Sequence, residues 1–351
     1  MNISERYKGF PGNQDTAASA DDFPFSKAAR LAWTVIPPII LILGTFGNTM
    51  SIAVHHRLSR KRQSGISVYL VALAVSDLLL LYSGLLVQWV SNLFKVNVTR
   101  SSNYLCKLVV WFIYTSGAAC AWLLVAVTLQ RATSVVWPHR VNSLITLKRS
   151  IIVVLGLSGT LMLIHVHILY GWGVVVTNSS NNTFSRDCAK VTKGYLNFFD
   201  RIWSWVDLLV FSLVPFIILL GSNMVLLKTV VTSVQEARTR LSDKQQVTSR
   251  KKTASSMTIT LIVLSFTFVS LTGPICVYLL MKPYVFDGEN VSDETEALRR
   301  LVFAVMDLLW YSNSSINFYL YCLSGSKFRT ELNELLSQFK RAIGVCLKIN
   351  I

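Results

Sequence analysis

Charge is scarce in this sequence. Asp, Glu, Lys and Arg make up only 15% of its 351 residues, while 52% are hydrophobic. Soluble domains carry about 25% charged residues, so a membrane class is the leading reading. Other features are missing too. The start, "MNISERYKGFPGNQD", has no basic segment followed by an apolar core, so no cleavable secretory signal is read there, and the first apolar stretch is expected to be its own membrane signal. The six cysteines (Cys106, Cys120, Cys188, Cys276, Cys322 and Cys346) form no CxxC pair and no Cys/His cluster, which argues against zinc. No nucleophile–base pair or two-metal pattern stands out, so an enzyme is not expected.

What the sequence does have is apolar length. Seven stretches, near 31–56, 68–92, 104–136, 150–173, 202–229, 255–281 and 299–322, are each long enough to cross a hydrocarbon core of about 30 Å as a helix of roughly 20 residues. They lack the strict alternation of barrel strands, and helices satisfy their own backbone in lipid. Prolines within them (Pro37, Pro38, Pro215, Pro274) read as tolerable kinks. The expected fold class is an all-α membrane protein with a seven-helix bundle at 31–322. A tail at 1–30 precedes it and a segment at 323–351 follows it.

The basic residues orient the bundle. The loops at 57–67, 131–150 and 228–252, with the tail from 323, hold 20 Lys and Arg and only four acids, which accounts for the whole net charge of +16. That side is expected to be cytoplasmic and the N-terminus extracellular. The same distribution points the charge at a membrane surface and not at nucleic acid. The sequons at Asn2, Asn97, Asn178, Asn181 and Asn290 all fall on the expected outside, and glycosylation is read there. After the seventh stretch, Phe328, Leu332, Leu335, Leu336, Phe339 and Ile343 recur at helical spacing among Lys327, Arg329, Lys340 and Arg341. This reads as an amphipathic helix on the inner face, in contact with membrane lipid. Cys346 beyond it is a candidate for palmitoylation, with an unmodified thiol as the alternative.

Particular motifs sharpen the class. Asn48 stands in "GNTMSI" of the first span and Asp77 in "LAVSDLLLL" of the second. Cys106 opens the third span, and Arg131 follows 25 residues later, near its inner end. Pro215 stands in "LVPFIILLGSN", Phe268 and Pro274 in "FTFVSLTGPI", and Asn317 and Tyr321 in "NSSINFYLY", with "FR" after it. Together these resemble the rhodopsin-like (class A) G-protein-coupled receptors over essentially the whole chain. "NFYLYCLSGSKFR" is similar to invertebrate neuropeptide receptors. The chain departs from the family pattern at Gln130 (an acid there), Ala132 (tyrosine), Phe318 (proline), Leu271-Thr272-Gly273 (cysteine and tryptophan) and the fourth span, which lacks its tryptophan.

The resemblance implies roles. Cys106 and Cys188 would form an extracellular disulfide. Asp77, Asn313, Ser314 and Asn317 would converge in a polar core near Asn48, where Asp77 is the candidate ligand of a sodium ion; Cys120 stands there in place of a usual serine. A hydrogen-bonded core without the ion is the alternative. Pro274 would hinge the sixth span, Tyr321 would meet Arg131 when the inner face opens, and a heterotrimeric G protein would enter there. With Gln130 neutral, raised basal signalling is expected. No lysine stands in the seventh span, so retinal is excluded and no other cofactor is expected. In the resemblance Ile113 occupies the place of the aspartate of amine receptors, so an amine ligand is not expected.

Two acids remain in the outer half. Asp207 stands eight residues before Pro215 and Asp307 ten before Asn317, about 12–15 Å above those landmarks at helical rise. Intramembrane carboxylates mark functional sites. They are read as a cavity for a small cationic neuropeptide, framed by Trp203, Trp205, Trp310 and Tyr311, with interfacial anchoring as the commoner role of such aromatics. A chemosensory receptor for small molecules is the alternative on the same fold; a transporter or channel is a third, though no internal repeat supports it. His165 and His167, two apart, are read as packing residues facing different ways. The expected location is the plasma membrane.

Overall fold

The computed structural model describes residues 23–62, 65–94, 96–137, 146–178, 184–239, 244–281 and 292–349. The sequons at Asn2, Asn181 and Asn290 lie outside the described residues, as do the side chains of Asn178 and Cys346. Seven long helices run in sequence: α1 (Pro24–Arg62), α2 (Gly65–Phe94), α3 (Asn103–Val136), α4 (Leu147–Gly171), α5 (193–239), α6 (Lys244–Met281) and α7 (Asp293–Ser324). An eighth, α8 (Ser326–Ile349), follows at the inner end. Stretches of α1–α6 are long and apolar enough to cross a membrane. The seventh helix, 32 residues long, mixes apolar positions with Asp307, Asn313, Ser314, Ser315 and Asn317, which it buries in the bundle.

Capping explains where several helices begin. Thr146 accepts from the backbone N–H of Arg149, Thr192 from that of Tyr195 and Ser292 from that of Thr295. Each fills an N–H that helical bonding leaves open. Asp293, Glu294 and Glu296 add favourable charge to the first turn of α7. These helices therefore extend past the apolar stretches into water, and α1 likewise begins at Pro24, ahead of residue 31.

The third helix forms the centre. Ala118, Ala119, Cys120, Ala121, Leu123, Leu124, Val125 and Val127 are all buried. The outward faces of α1, α4 and α5 present Leu31, Ile42, Ile152, Leu155, Leu163, Ile217 and Leu227, the pattern of helices solvated by lipid. The first and seventh helices approach closely because Gly47 lacks a side chain: a Cβ there would stand 2.9 Å from Cβ of Phe318.

Three features depart from a plain helical reading. Residues 81–86, 199–203 and 209–213 form wider π turns, which insert an extra residue and redirect the faces beyond it. The fourth helix breaks at His165 and ends at Gly171. There the chain turns into an antiparallel hairpin, β1 (Trp172–Asn178) with β2 (Phe184–Lys190), pairing Val174 with Cys188.

Candidate ligand cavity and signalling core

The hairpin roofs the outer end of the bundle. Cys188 of β2 is bonded to the fully buried Cys106 at the top of α3, with their Cα atoms 5.5 Å apart. Ion pairs brace it on both sides: Arg100 with Asp187 and Lys190 with Asp200, each at 2.6 Å. The Asn103 side chain accepts from the backbone N–H of Val174 at 3.1 Å. At its edge, Asn97 accepts from the backbone N–H and the hydroxyl of Thr99, capping the helical turn Val98–Ser101.

Beneath the roof lie the two carboxylates. Asp307 is 5% exposed, and the Gln88 side chain bonds to it. Asp207 is half-buried on α5, between its two π turns. Tyr114 of α3 lies within electrostatic range of both carboxylates, and its ring packs against His165 and Phe199. Among the described residues neither carboxylate makes an ion pair. Ile113 and Trp310 pack against one apolar cluster of α1, α2 and α7 that includes Tyr311. On α6, Cys276 bonds to Ser212 of α5 at 2.8 Å and adjoins Asp207. Tyr114 and Cys276 were not legible as cavity residues, since an aromatic and a thiol on apolar helices look like packing.

Of the two tryptophans read at this end of α5, Trp203 is buried and Trp205 is 43% exposed, as an interfacial anchor would be. One expectation needs correction. His165 and His167 do not face apart: their ring centroids lie 5.6 and 4.2 Å from that of Trp203. The break at His165, with φ −85° and ψ 1°, removes the regular 100° step on which the opposite reading rested.

The polar core gathers as the resemblance implies. Asp77 is fully buried; its Oδ1 accepts from the Cys120 thiol at 3.2 Å and its Oδ2 from Nδ2 of Asn317 at 2.8 Å. Ser314 adjoins it, and Asn48 donates to the Ser314 carbonyl at 2.8 Å. Asn313 is buried on the same helix. Cys120 therefore does more than remove an oxygen: it supplies a donor to Asp77.

At the inner end, Arg131 is half-buried at the last turns of α3. Gln130 beside it reaches across to Ser150 at the start of α4, at 3.4 Å, and the Tyr69 side chain of α2 bonds the same serine. A Cβ at Gly65 would collide with Ser150, so the glycine admits this close junction of three helices. Tyr321 does not meet Arg131 here. Its ring stands edge-on to His55 of α1 at 5.2 Å and tilted over Phe328 of α8 at 5.4 Å. Pro274 lies within α6 without ending it, Pro215 lies just beyond the second π turn of α5, and Phe268 is buried in the main core. The eighth helix is fastened by Glu331, 4% exposed, which accepts from Arg57 and Lys61 of α1 at 2.8 Å each.

Residues 47–321 match the seven-transmembrane receptors of the rhodopsin family. The chain belongs to that family. It is thus a membrane receptor and not an enzyme. The human histamine H2 receptor is 25% identical over 314 residues, covering 88% of this chain and 80% of the relative. The guinea pig (Cavia porcellus) histamine H2 receptor is 27% identical over 301 residues, covering 85% and 77%. The lysophosphatidic acid receptor 6 of Gallus gallus is 24% identical over 249 residues, covering 70% and 75%. These relatives differ in the ligands that they are named for, so kinship fixes the receptor class and leaves the ligand to the cavity.

Proposed function

We propose that this receptor sits in the plasma membrane, is activated by a small cationic peptide and signals through a heterotrimeric G protein. The observation that carries the reading is the pair of carboxylates, Asp207 and Asp307, both within electrostatic range of Tyr114 and with no ion pair among the described residues. Burying a carboxylate is costly unless a cation or hydrogen bonds compensate it, and an arginine or amine on a ligand does so with strong charge-assisted bonds. Expression with a promiscuous G protein and a calcium readout against a neuropeptide library tests this. Silence to every peptide, with a response to small molecules only, refutes it.

A small amine is the second reading. The relatives named for histamine favour it, and Asp307 supplies on α7 a buried carboxylate that α3 lacks at Ile113. Biogenic amines in the same assay separate the two readings.

At Asp77 a closed hydrogen-bonded core is favoured over a sodium site. Both carboxylate oxygens accept protein hydrogen bonds, and one donor is a thiol, a soft group ill suited to a hard cation. Thermal melts in sodium and in potassium should coincide; a sodium-specific rise would reverse this.

A further inference from the structure

Trp310 stands where the outer cavity meets the polar core. Its indole rests on Gly117 of α3: a Cβ there would lie 2.9 Å from Cζ2 of the ring, closer than side chains pack. Its neighbour Tyr311 plugs into a second gap, with its hydroxyl against Gly84 in the π turn of α2, and the two rings are 5.0 Å apart. Two glycines on two other helices thus form the seats for two consecutive aromatics of α7.

The spacing along α7 matters as much. Asp307, Trp310, Ser314, Asn317 and Tyr321 follow one another at steps of three or four residues, so they line one face of one helix. The first is a cavity carboxylate, the third and fourth adjoin Asp77, and the last is held by His55 and Phe328. On α6, Thr272 is buried, and a Cβ at Gly273 would meet nothing within 4 Å.

We propose that Trp310 is the positioning residue through which occupancy of the cavity reaches the core, with Gly117 as the seat that holds its resting position. Movement of Asp307 toward a ligand carries Trp310 off Gly117, and the same face of α7 shifts Ser314 and Asn317 against Asp77. This rests on Asp307 as the ligand contact of the proposed function, while its test uses no ligand.

The test measures ligand-free G-protein activation per receptor at the cell surface, counted by an extracellular epitope tag. Gly117→Ala should unseat the indole and raise this signal roughly threefold or more, because overpacking one of two states shifts the population to the other. In a Trp310→Ala background the same alanine should change nothing, a coupling that a double-mutant cycle isolates. Trp310→Phe, which keeps an aromatic but withdraws the Cζ2 edge, should shift the signal in the same direction as Gly117→Ala and serves if that variant does not reach the surface. A Gly117→Ala receptor with altered surface yield but unchanged signal per receptor overturns the proposal. So does an equal effect of the alanine in both backgrounds, or an unchanged signal in Trp310→Phe. Because no peptide or amine enters the assay, its failure is separate from a failure of the ligand reading.

Discussion

Replacing Glu331 with glutamine should loosen α8 from α1 by a predictable amount. One oxygen of Glu331 accepts from Arg57 Nε and from Lys61 Nζ, both at 2.8 Å, and its side chain is 5% exposed. Glutamine keeps the shape and an acceptor but not the charge. Two bonds between opposite charges become bonds from a cation to a neutral amide oxygen, a loss of roughly 1 kcal/mol each, so about 2 kcal/mol in all. The full penalty of breaking a buried pair, about 3–5 kcal/mol, does not apply. Arg57 and Lys61 are 24% and 46% exposed, and keep Gln338 and Glu334 as partners. In a protein of this size the melting temperature should fall by about 2–6 °C. A thiol-reactive dye on the detergent-solubilised receptor reads this, since Cys120 is buried until the bundle opens. The pH dependence has a definite sign. Burial pushes the Glu331 carboxyl up, but the hydrogen bonds and charges of Lys61 and Arg57 outweigh it and hold the group below the usual carboxylate range. The stabilisation is therefore full above the ordinary value of about 4.3 and is lost as pH falls through the lower folded value. Equal melting of the two receptors at pH 7, or a gap that does not narrow as pH falls below about 4.3, refutes the reasoning.

Three further outcomes are expected. Gln130→Asp should pair with Arg131, break the contact to Ser150 and lower ligand-free signalling, read as G-protein turnover at matched surface expression; an unchanged baseline counts against it. Asp307→Asn should weaken activation by a cationic ligand about tenfold or more, the equivalent of ~1.4 kcal/mol, and unchanged potency in dose–response curves would remove Asp307 from the site. Cys188→Ala should cost roughly 4 kcal/mol in the loop-entropy account, because the bond spans 82 residues, and should appear as a large loss of thermal stability and of surface receptor.

Much of the bundle was legible because lipid imposes one demand on every span. Apolar length gave the helices, and the basic loops gave the orientation. Asp77, Asn317 and Asn48 were legible because a polar residue in an apolar run has few other reasons to be there, and they do converge. The hairpin at 172–190 was not. Its strands are short and continue directly from α4, although "WGVVVTNSSNN", a β-branched run before a turn-forming cluster, held a usable signal. The π turns carry no such signal, since their extra residue is accommodated by neighbouring helices. Gln130 shows a third limit. The sequence revealed the missing acid beside Arg131, but Ser150 and Tyr69, which meet across three helices, become partners only in the fold.

The π turn at 209–213 has a consequence for how this receptor can vary. It carries one residue more than an α-helix needs, and Asp207 stands just above it. A single deletion there would let α5 relax to regular geometry and rotate everything above by about 100°. Asp207 would then swing away from Tyr114 without any cavity residue having changed. In this part of the chain, ligand preference is written in the length of a helix as well as in its side chains.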